Sequence, residues 1–174
     1  MSQSRWYVIT GAPCSGKTTI IQHLAKAGYK VMPEVARMLI DEDVARGKAI
    51  EEIRSDEIAF QGRINERNKK TERLLPLDEI IFFDRAIPDS IAYHRLLGID
   101  TKEALELCRE NLYRKVFCLE LLPFIKDYAR IEDAERMFQL HSFLQDAYVQ
   151  LGYDVILVPV LPPIDRVQFI LKHI

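Results

Sequence analysis

One stretch of the chain has residue types and spacing suited to holding phosphate. Residues 11–18 read Gly-Ala-Pro-Cys-Ser-Gly-Lys-Thr and fit the pattern G-x-x-x-x-G-K-[ST], the phosphate-binding P-loop. Glycine at both ends of such a loop permits backbone angles that a Cβ would penalise, so that successive N–H groups can turn towards an anion. The residues predicted from this pattern to bind the cofactor are Gly11, Pro13, Cys14, Ser15, Gly16, Lys17, Thr18 and Thr19.

The loop also supplies two side chains with separate predicted roles. Lys17 can reach the β- and γ-phosphates as a catalytic residue, and the Thr18 hydroxyl can bind Mg²⁺. An apolar run over residues 6–10 predicts a strand leading into the loop, and residues 19–27 predict a helix leading out of it. The first N–H groups of that helix and the positive end of its dipole favour an anion. The predicted cofactors are therefore ATP or GTP with Mg²⁺.

Charged residues directly after two other predicted strands are the next candidates. Asp84 follows the apolar run 79–83, where a carboxylate can hold Mg²⁺ through water or accept a proton from an attacking hydroxyl. Arg85 has the bidentate fork that suits a phosphate or a carboxylate. Glu34 follows the strand predicted at residues 29–32 and is a candidate general base. A helix cap at Asp84, a surface arginine and a helix-start glutamate are the plain structural alternatives.

Candidates for binding an acceptor lie one helical turn from these residues. Arg37 lies three residues after Glu34, and Asp89 and Tyr93 lie one turn apart on the helix that follows Arg85. Their spacing predicts that they face the same cleft.

The polar segment over residues 123–136 is predicted to be a lid. Arg130 and Arg136 are its candidate catalytic arginines, which would close over the transferring phosphoryl group and exclude water. A charged, solvated helix start with i,i+3 and i,i+4 pairs is the alternative.

The remaining sequence alternates between strand and helix patterns. Further strands are predicted at residues 115–121 and 153–159, and further helices at 35–45, 49–74, 88–98, from 101 onwards, 132–151 and 165–173. The predicted inner face of the long helix 49–74 consists of Ile50, Ile53, Ile58, Phe60 and Ile64. Such alternation implies an α/β fold, a parallel sheet with helices on both faces, and ligands bound beyond the carboxyl ends of the strands.

Composition narrows the class of protein. The chain has 174 residues and a net charge of −2, which predicts one domain over residues 1–174 and no nucleic-acid partner. The longest apolar stretch, residues 155–161, is too short to insert across a membrane. Cys14, Cys108 and Cys118 lack metal-ligand spacing and fit reduced thiols in a cytoplasmic protein.

These segments resemble a known family, the AAA-domain-like P-loop family of predicted ATPases and kinases, which is related to the ribosylnicotinamide kinase domain of bacterial NAD biosynthesis. The resemblance covers essentially the whole chain. Its motifs are residues 9–19, Pro33-Glu34-x-Ala36-Arg37, Phe83-Asp84-Arg85, Pro88-Asp89, Asp127-x-x-Arg130 and Leu151-Gly152-Tyr153. Asp127 thereby joins the candidates for substrate binding.

The resemblance implies a nucleoside-kinase-like three-layer sandwich whose five parallel strands lie in the order 2-3-1-4-5. It also implies ATP or GTP with Mg²⁺, and phosphoryl transfer to a small acceptor.

Three functions are consistent with the sequence. The first is a kinase that transfers the γ-phosphoryl of Mg-ATP to a small hydroxyl-bearing metabolite such as a nucleoside. The second is a nucleotide-dependent switch or binding module, although Asn68-Lys69 lacks the Asp of a guanine-reading motif and no Gly lies three residues after Asp84. The third is a slow ATPase without an acceptor. The sequence leaves the acceptor, the choice of ATP or GTP and the oligomeric state open.

Two substitutions separate binding of the nucleotide from its turnover. Lys17→Ala removes the cation that reaches the phosphates and is expected to abolish nucleotide binding or turnover. Asp84→Asn is expected to leave nucleotide binding largely intact and to remove turnover. Calorimetric binding of Mg-ATP and release of ADP measure the two effects. Normal turnover by Asp84→Asn would contradict the role given to that carboxylate.

Overall fold

The computed structural model describes residues 4–110, 112–123 and 131–174. In chain order the elements are β1 (Trp6–Thr10), α1 (Lys17–Lys26), β2 (Lys30–Met32), α2 (Val35–Ala45), α3 (Ile50–Ile53), α4 (Glu57–Glu72), β3 (Ile81–Asp84), α5 (Asp89–Leu97), α6 (Lys102–Leu107), β4 (Lys115–Leu119), α7 (Ile131–Gln150), β5 (Val155–Val158) and α8 (Pro163–Leu171). Among the described residues, no helix combines the length and the apolar character needed to cross a membrane.

The strands form one five-stranded parallel sheet in the order β2-β3-β1-β4-β5, which confirms the predicted fold. The register places Ile9 opposite Asp84 and Thr10 opposite Cys118. The last residues of β1, β3 and β4 therefore lie side by side. Because parallel strands share one direction, the loops that follow them meet at this carboxyl edge of the sheet.

Both faces of the sheet are covered by helices. Successive side chains of a strand point to opposite faces, so Tyr7 and Ile9 pack on the side of α1 and α8, and Trp6 and Val8 pack on the side of α7. All five residues of β1 are buried. Burial on both faces explains why this strand is apolar along most of its length rather than alternating.

The prediction of a single helix over residues 49–74 is wrong, because the chain forms the two helices α3 and α4 there. α3 ends after one turn, and the Asp56 carboxylate then accepts a hydrogen bond of 2.9 Å from the Ala59 N–H. Aspartate favours this N-cap position because its side chain satisfies an N–H group that the helix leaves unpaired. Because of this break, the helical spacing of the apolar residues does not continue from α3 into α4.

The break between α3 and α4 changes which isoleucines are buried. Ile53 and Phe60 pack with α2 as expected, and Ile64 is partly buried against them. Ile50 and Ile58, which were expected on the inner face, are 57% and 62% exposed. The inner face predicted for this region is thus correct only in part.

Ion pairs fix α4 against α2. Arg63 contacts the buried Asp43 at 2.7 Å, and Arg67 contacts Glu42 at 3.0 Å. These pairs join residues 20 and 25 positions apart in sequence, and α4 is thereby held beside the ends of β2 and β3.

A buried carboxyl group lies at the far end of α4. Glu72 is 6% exposed, and the Tyr113 hydroxyl donates a hydrogen bond of 2.6 Å to it. Burial raises the pKa of Glu72 to about 7 from 4.5, against the opposing effect of the Tyr113 hydrogen bond. Between pH 4.5 and about pH 7, Glu72 is mostly protonated in the folded protein and mostly ionised in the unfolded chain. The contribution of Glu72 to the free energy of unfolding therefore falls as the pH rises.

Glu72→Gln keeps an acceptor for Tyr113 and removes the ionisation. We expect it to raise the free energy of unfolding at pH 8 by on the order of 2 kcal/mol, and the gain to vanish at about pH 3, where Glu72 is protonated in both the folded and the unfolded protein. Urea unfolding at the two pH values measures this. Glu66→Gln, at an exposed position of the same helix, is the control and should change little. An equal gain in the free energy of unfolding at both pH values would contradict the raised pKa of Glu72.

Candidate active site

The P-loop connects β1 to α1 along a path that requires glycine. Gly11 has φ 142° and Gly16 has φ 87°. A Cβ on Gly11 would lie 2.8 Å from the Ser15 Oγ, closer than real Cβ atoms approach, and 3.0 Å from the Leu119 carbonyl oxygen, which is tighter than most real contacts. Cys14 also has a positive φ, 64°, although it is not a glycine. The loop is therefore a strained, closely packed turn at the carboxyl edge of the sheet.

Lys17 is buried at the centre of the loop. Its ammonium donates hydrogen bonds to the carbonyl oxygens of Gly11, at 2.7 Å, and Ala12, at 3.0 Å. Burial, followed by the charge of Arg85, lowers the pKa of Lys17 from 10.5 to about 8. An anion bound in the loop would favour the charged form. Four other residues that were predicted to bind the cofactor have exposed side chains, namely Pro13, Cys14, Thr18 and Thr19.

Asp84 ends β3 and lies opposite Ile9, which is two residues before the P-loop. Asp84 is buried, and its Oδ1 has no hydrogen-bond partner in the described part of the chain. Burial, followed by the charge of Glu34, raises the pKa of Asp84 from 3.8 to about 6. A carboxylate oxygen without a protein donor and the exposed Thr18 hydroxyl are donors of the kind that Mg²⁺ prefers. These two residues could hold that ion.

Arg85 has a fixed position between two carboxylates. Its backbone has φ 67°, and its guanidinium contacts Glu34 and Asp89 at 3.1 Å each. The Arg85 guanidinium also lies 5.4 Å from the centre of the Tyr93 ring. A left-handed backbone at a residue with a side chain is uncommon and stores strain, and such strain is often found at functional sites.

The buried Asp89 carboxylate holds this arrangement together. It accepts hydrogen bonds from the Thr10 hydroxyl at 2.7 Å, the Ala86 N–H at 3.1 Å, Arg85 at 3.1 Å and the Tyr148 hydroxyl. Protein donors thus engage both carboxylate oxygens. Asp89 was predicted to bind the substrate, and in this structure its contacts position Arg85.

A cleft of about 90 Å³ opens beside these residues, between α2, α4 and α5. Its walls include Glu34, Asp84, Arg85, Asp89 and Tyr93, so five residues predicted from separate segments line one space. The remaining predictions do not converge here. Arg37 is exposed and does not line the cleft, Arg136 is exposed on α7, and Asp127 and Arg130 lie outside the described residues.

Sequence reasoning missed the polar wall that α4 gives to the cleft. Gln61, Asn65 and Asn68 line it together with the Phe60 ring, and Gln61 and Asn65 are 4% and 5% exposed. Their spacing of i, i+4 and i+7 was the available signal, because it puts three carboxamides on one face of a helix. Arg166 of α8, which contacts the P-loop, carried no local signal.

The parallel sheet and the loop define a P-loop nucleotide-binding fold of the kinase type. The chain belongs to the AAA domain family, whose model matches residues 6–165. Among curated proteins no match is found.

Solved structures share this fold at low identity. The thymidylate kinase from Ehrlichia chaffeensis has a TM-score of 0.64 at 18% identity, covering 99% of both chains. The deoxyadenosine kinase from M. mycoides has a TM-score of 0.63 at 18% identity, covering 97% of both chains. The NadR protein in complex with NR has a TM-score of 0.58 at 19% identity, covering 89% of this chain and 43% of that one.

Gly11→Ala tests the packing of the loop. We expect a loss of nucleotide affinity of about tenfold or more, because the new Cβ displaces Ser15 and the strand-end carbonyl that shape the phosphate site. Gly28→Ala is the matched control, since Gly28 also has a positive φ, 90°, but a Cβ there meets nothing within 4 Å. The control should lose stability and keep its affinity in calorimetric titration with Mg-ATP. Equal affinities for the two variants would refute the packing argument.

Proposed function

We propose that this protein is a phosphotransferase that moves the γ-phosphoryl group of ATP or GTP to the hydroxyl of a small acceptor such as a nucleoside. The observation that carries the proposal is the cleft beside the P-loop, which has the carboxylates Glu34 and Asp84 in its wall. Hydrolysis of a nucleotide needs space for one water molecule. The cleft, of about 90 Å³, has room for several water molecules, and its two carboxylates and three carboxamides suit a small second substrate.

The lining of the cleft favours a planar, hydrogen-bonding acceptor. Phe60 and Tyr93 contribute the aromatic part of the cleft wall. Gln61, Asn65 and Asn68 offer carboxamides, which donate and accept hydrogen bonds at once. A nucleobase or a ring carrying a carboxamide has the matching pattern at its edge. The kinases of similar fold are named for thymidylate and deoxyadenosine, which are acceptors of this class.

Glu34 is the proposed general base. It lines the cleft, is one-third exposed and accepts a hydrogen bond from Arg85, which orients its carboxylate. As the acceptor oxygen forms its bond to the γ-phosphorus, the hydroxyl proton passes to Glu34. The bond from that phosphorus to the β–γ bridging oxygen breaks, and the nucleoside diphosphate leaves with the electron pair.

The remaining residues are proposed to stabilise charge. Lys17 and the P-loop amides hold the β- and γ-phosphates, and Arg85 neutralises charge on the transferring group. Thr18 and Asp84 would hold Mg²⁺, which supplies positive charge to the phosphate oxygens. A lid over residues 123–136 that brings Arg130 and Arg136 to the phosphoryl group, and a cytoplasmic location, stay predictions.

Release of ADP or GDP from the Mg²⁺ complex of the triphosphate tests the function. The assay is run with and without a panel of nucleosides, ribosylnicotinamide and other small alcohols, and mass spectrometry identifies any phosphorylated product. Lys17→Ala, prepared in the same way, controls for contaminating enzymes. One acceptor that stimulates release and emerges phosphorylated supports a kinase. Tight nucleotide binding without stimulation by any acceptor would favour a switch, a binding module or a slow ATPase.

Glu34→Gln separates the base from the metal ligand. We expect turnover to fall by about 10²- to 10⁴-fold, with little change in nucleotide affinity or in the Mg²⁺ concentration required, because only the proton acceptor is lost. Asp84→Asn, in contrast, should raise the Mg²⁺ requirement. Glu51→Gln, at an exposed position of α3 outside the cleft wall, is the control and should retain full activity. A Glu34→Gln enzyme with normal turnover would remove Glu34 from this role.

A further inference from the structure

Arg166 is a buried cation whose hydrogen bonds, among the described residues, all go to main-chain carbonyl oxygens. It lies on α8 and is 2% exposed. Its guanidinium donates hydrogen bonds to the carbonyls of Ser15 at 2.6 Å, Pro159 at 2.8 Å and Glu120 at 2.9 Å. Charge-assisted hydrogen bonds of this length are stronger than bonds between neutral groups.

The three carbonyls belong to three loops at the carboxyl edge of the sheet. Ser15 is in the P-loop, Glu120 follows β4 and Pro159 follows β5. Arg166 therefore joins the P-loop to the ends of the two strands on one side of it. It reaches the P-loop across 151 residues of sequence, which explains why no local pattern revealed it.

The P-loop needs such a partner because of its own geometry. When its N–H groups turn inwards around an anion, some of its carbonyls must turn outwards, and a buried carbonyl without a donor is costly. Lys17 holds the carbonyls of Gly11 and Ala12, and Arg166 holds that of Ser15. Lys17 must leave its carbonyls when it turns to phosphate, whereas the contacts of Arg166 can persist.

Arg166 also brings a positive charge close to the phosphate site. Its Nη1 lies 3.5 Å from the point where a Cβ of Gly16 would be, at the N-terminus of α1. Within the described residues Arg166 forms no ion pair. A partly desolvated charge at that position adds to the field of the helix dipole and attracts an anion.

We propose that Arg166 is a positioning residue of the phosphate site, which fixes the P-loop through the Ser15 carbonyl and adds positive charge beside it. Affinity for the triphosphate then depends on a residue of α8 that lies far outside the P-loop motif. The proposal rests on the nucleotide-binding part of the proposed function and does not require an acceptor.

Binding of ATP, ADP and adenosine to Arg166→Met and Arg166→Lys tests the proposal by calorimetry. Arg166→Met should weaken ATP binding by about 10- to 100-fold, the range expected for losing a charge-assisted hydrogen bond, and should weaken adenosine binding far less. Arg166→Lys keeps the charge with fewer hydrogen bonds, so its affinity for ATP should lie between those of Arg166→Met and the unaltered protein. A purely structural role would not make the loss depend on the number of phosphates.

Ile170→Ala provides the matched control for stability. Ile170 is fully buried on the same helix and packs in the core, so its truncation should lower the melting temperature while ATP affinity stays close to that of the unaltered protein. The proposal is overturned if folded Arg166→Met binds ATP normally, or if Ile170→Ala loses the same affinity. If Arg166→Met does not fold, Arg166→Lys decides, since unchanged ATP affinity in that variant overturns the role of the hydrogen bonds.

The same titrations keep this proposal apart from the proposed function. Unaltered protein that binds ATP without phosphorylating any acceptor contradicts the kinase and leaves the role of Arg166 standing. Unaltered protein that binds no nucleotide contradicts both.

Discussion

The arrangement of the site depends on the hydrogen bonds made by one buried carboxylate, Asp89. Its donors come from the end of β1, from the turn after β3 and from α7, elements that are far apart in the chain. A buried carboxylate is costly unless donors satisfy it, so these elements must meet in one geometry. Arg85 is fixed by this requirement, and Glu34 is oriented by Arg85 in turn.

The charged groups at the carboxyl edge of the sheet neutralise one another only in part. Lys17 and Asp84 are both buried, and burial moves the pKa of each towards neutrality, to about 8 and about 6. A site that holds charges at such a cost gains most from a ligand of opposite charge, because the ligand restores the interactions that water gave to these groups. A phosphate site built from buried charges is therefore less stable than its packing alone would allow, as is usual where function requires buried charge.

Local patterns in the sequence were sufficient for the fold and for the phosphate site. The P-loop spans nine consecutive residues, and the apolar runs of the strands are continuous, so periodicity and motif identify them. The break between α3 and α4 was missed because an apolar pattern continues across it, and the preference of Asp56 for an N-cap decides the outcome. Asp89 illustrates a different limit. Its position was predicted, but the donors that engage it come from residues as distant as Tyr148 and cannot be read from spacing.

The carboxyl edge of the sheet has two parts, which are the surroundings of the P-loop and the cleft. On one side α1, α8 and the ends of β4 and β5 surround the P-loop, where Arg166 donates to the main-chain carbonyls of Ser15 and Glu120. On the other side α2 and α4 build the cleft, in which exchangeable side chains such as Gln61 and Asn65 form the wall. Asp84 and Arg85 lie at the boundary and face both. Because ion pairs and apolar contacts join α4 to α2, substitutions of the side chains that α4 presents to the cleft can change its shape and polarity without moving the P-loop. In the proposed function, a few side chains of one helix therefore select the acceptor, whereas the P-loop binds the triphosphate.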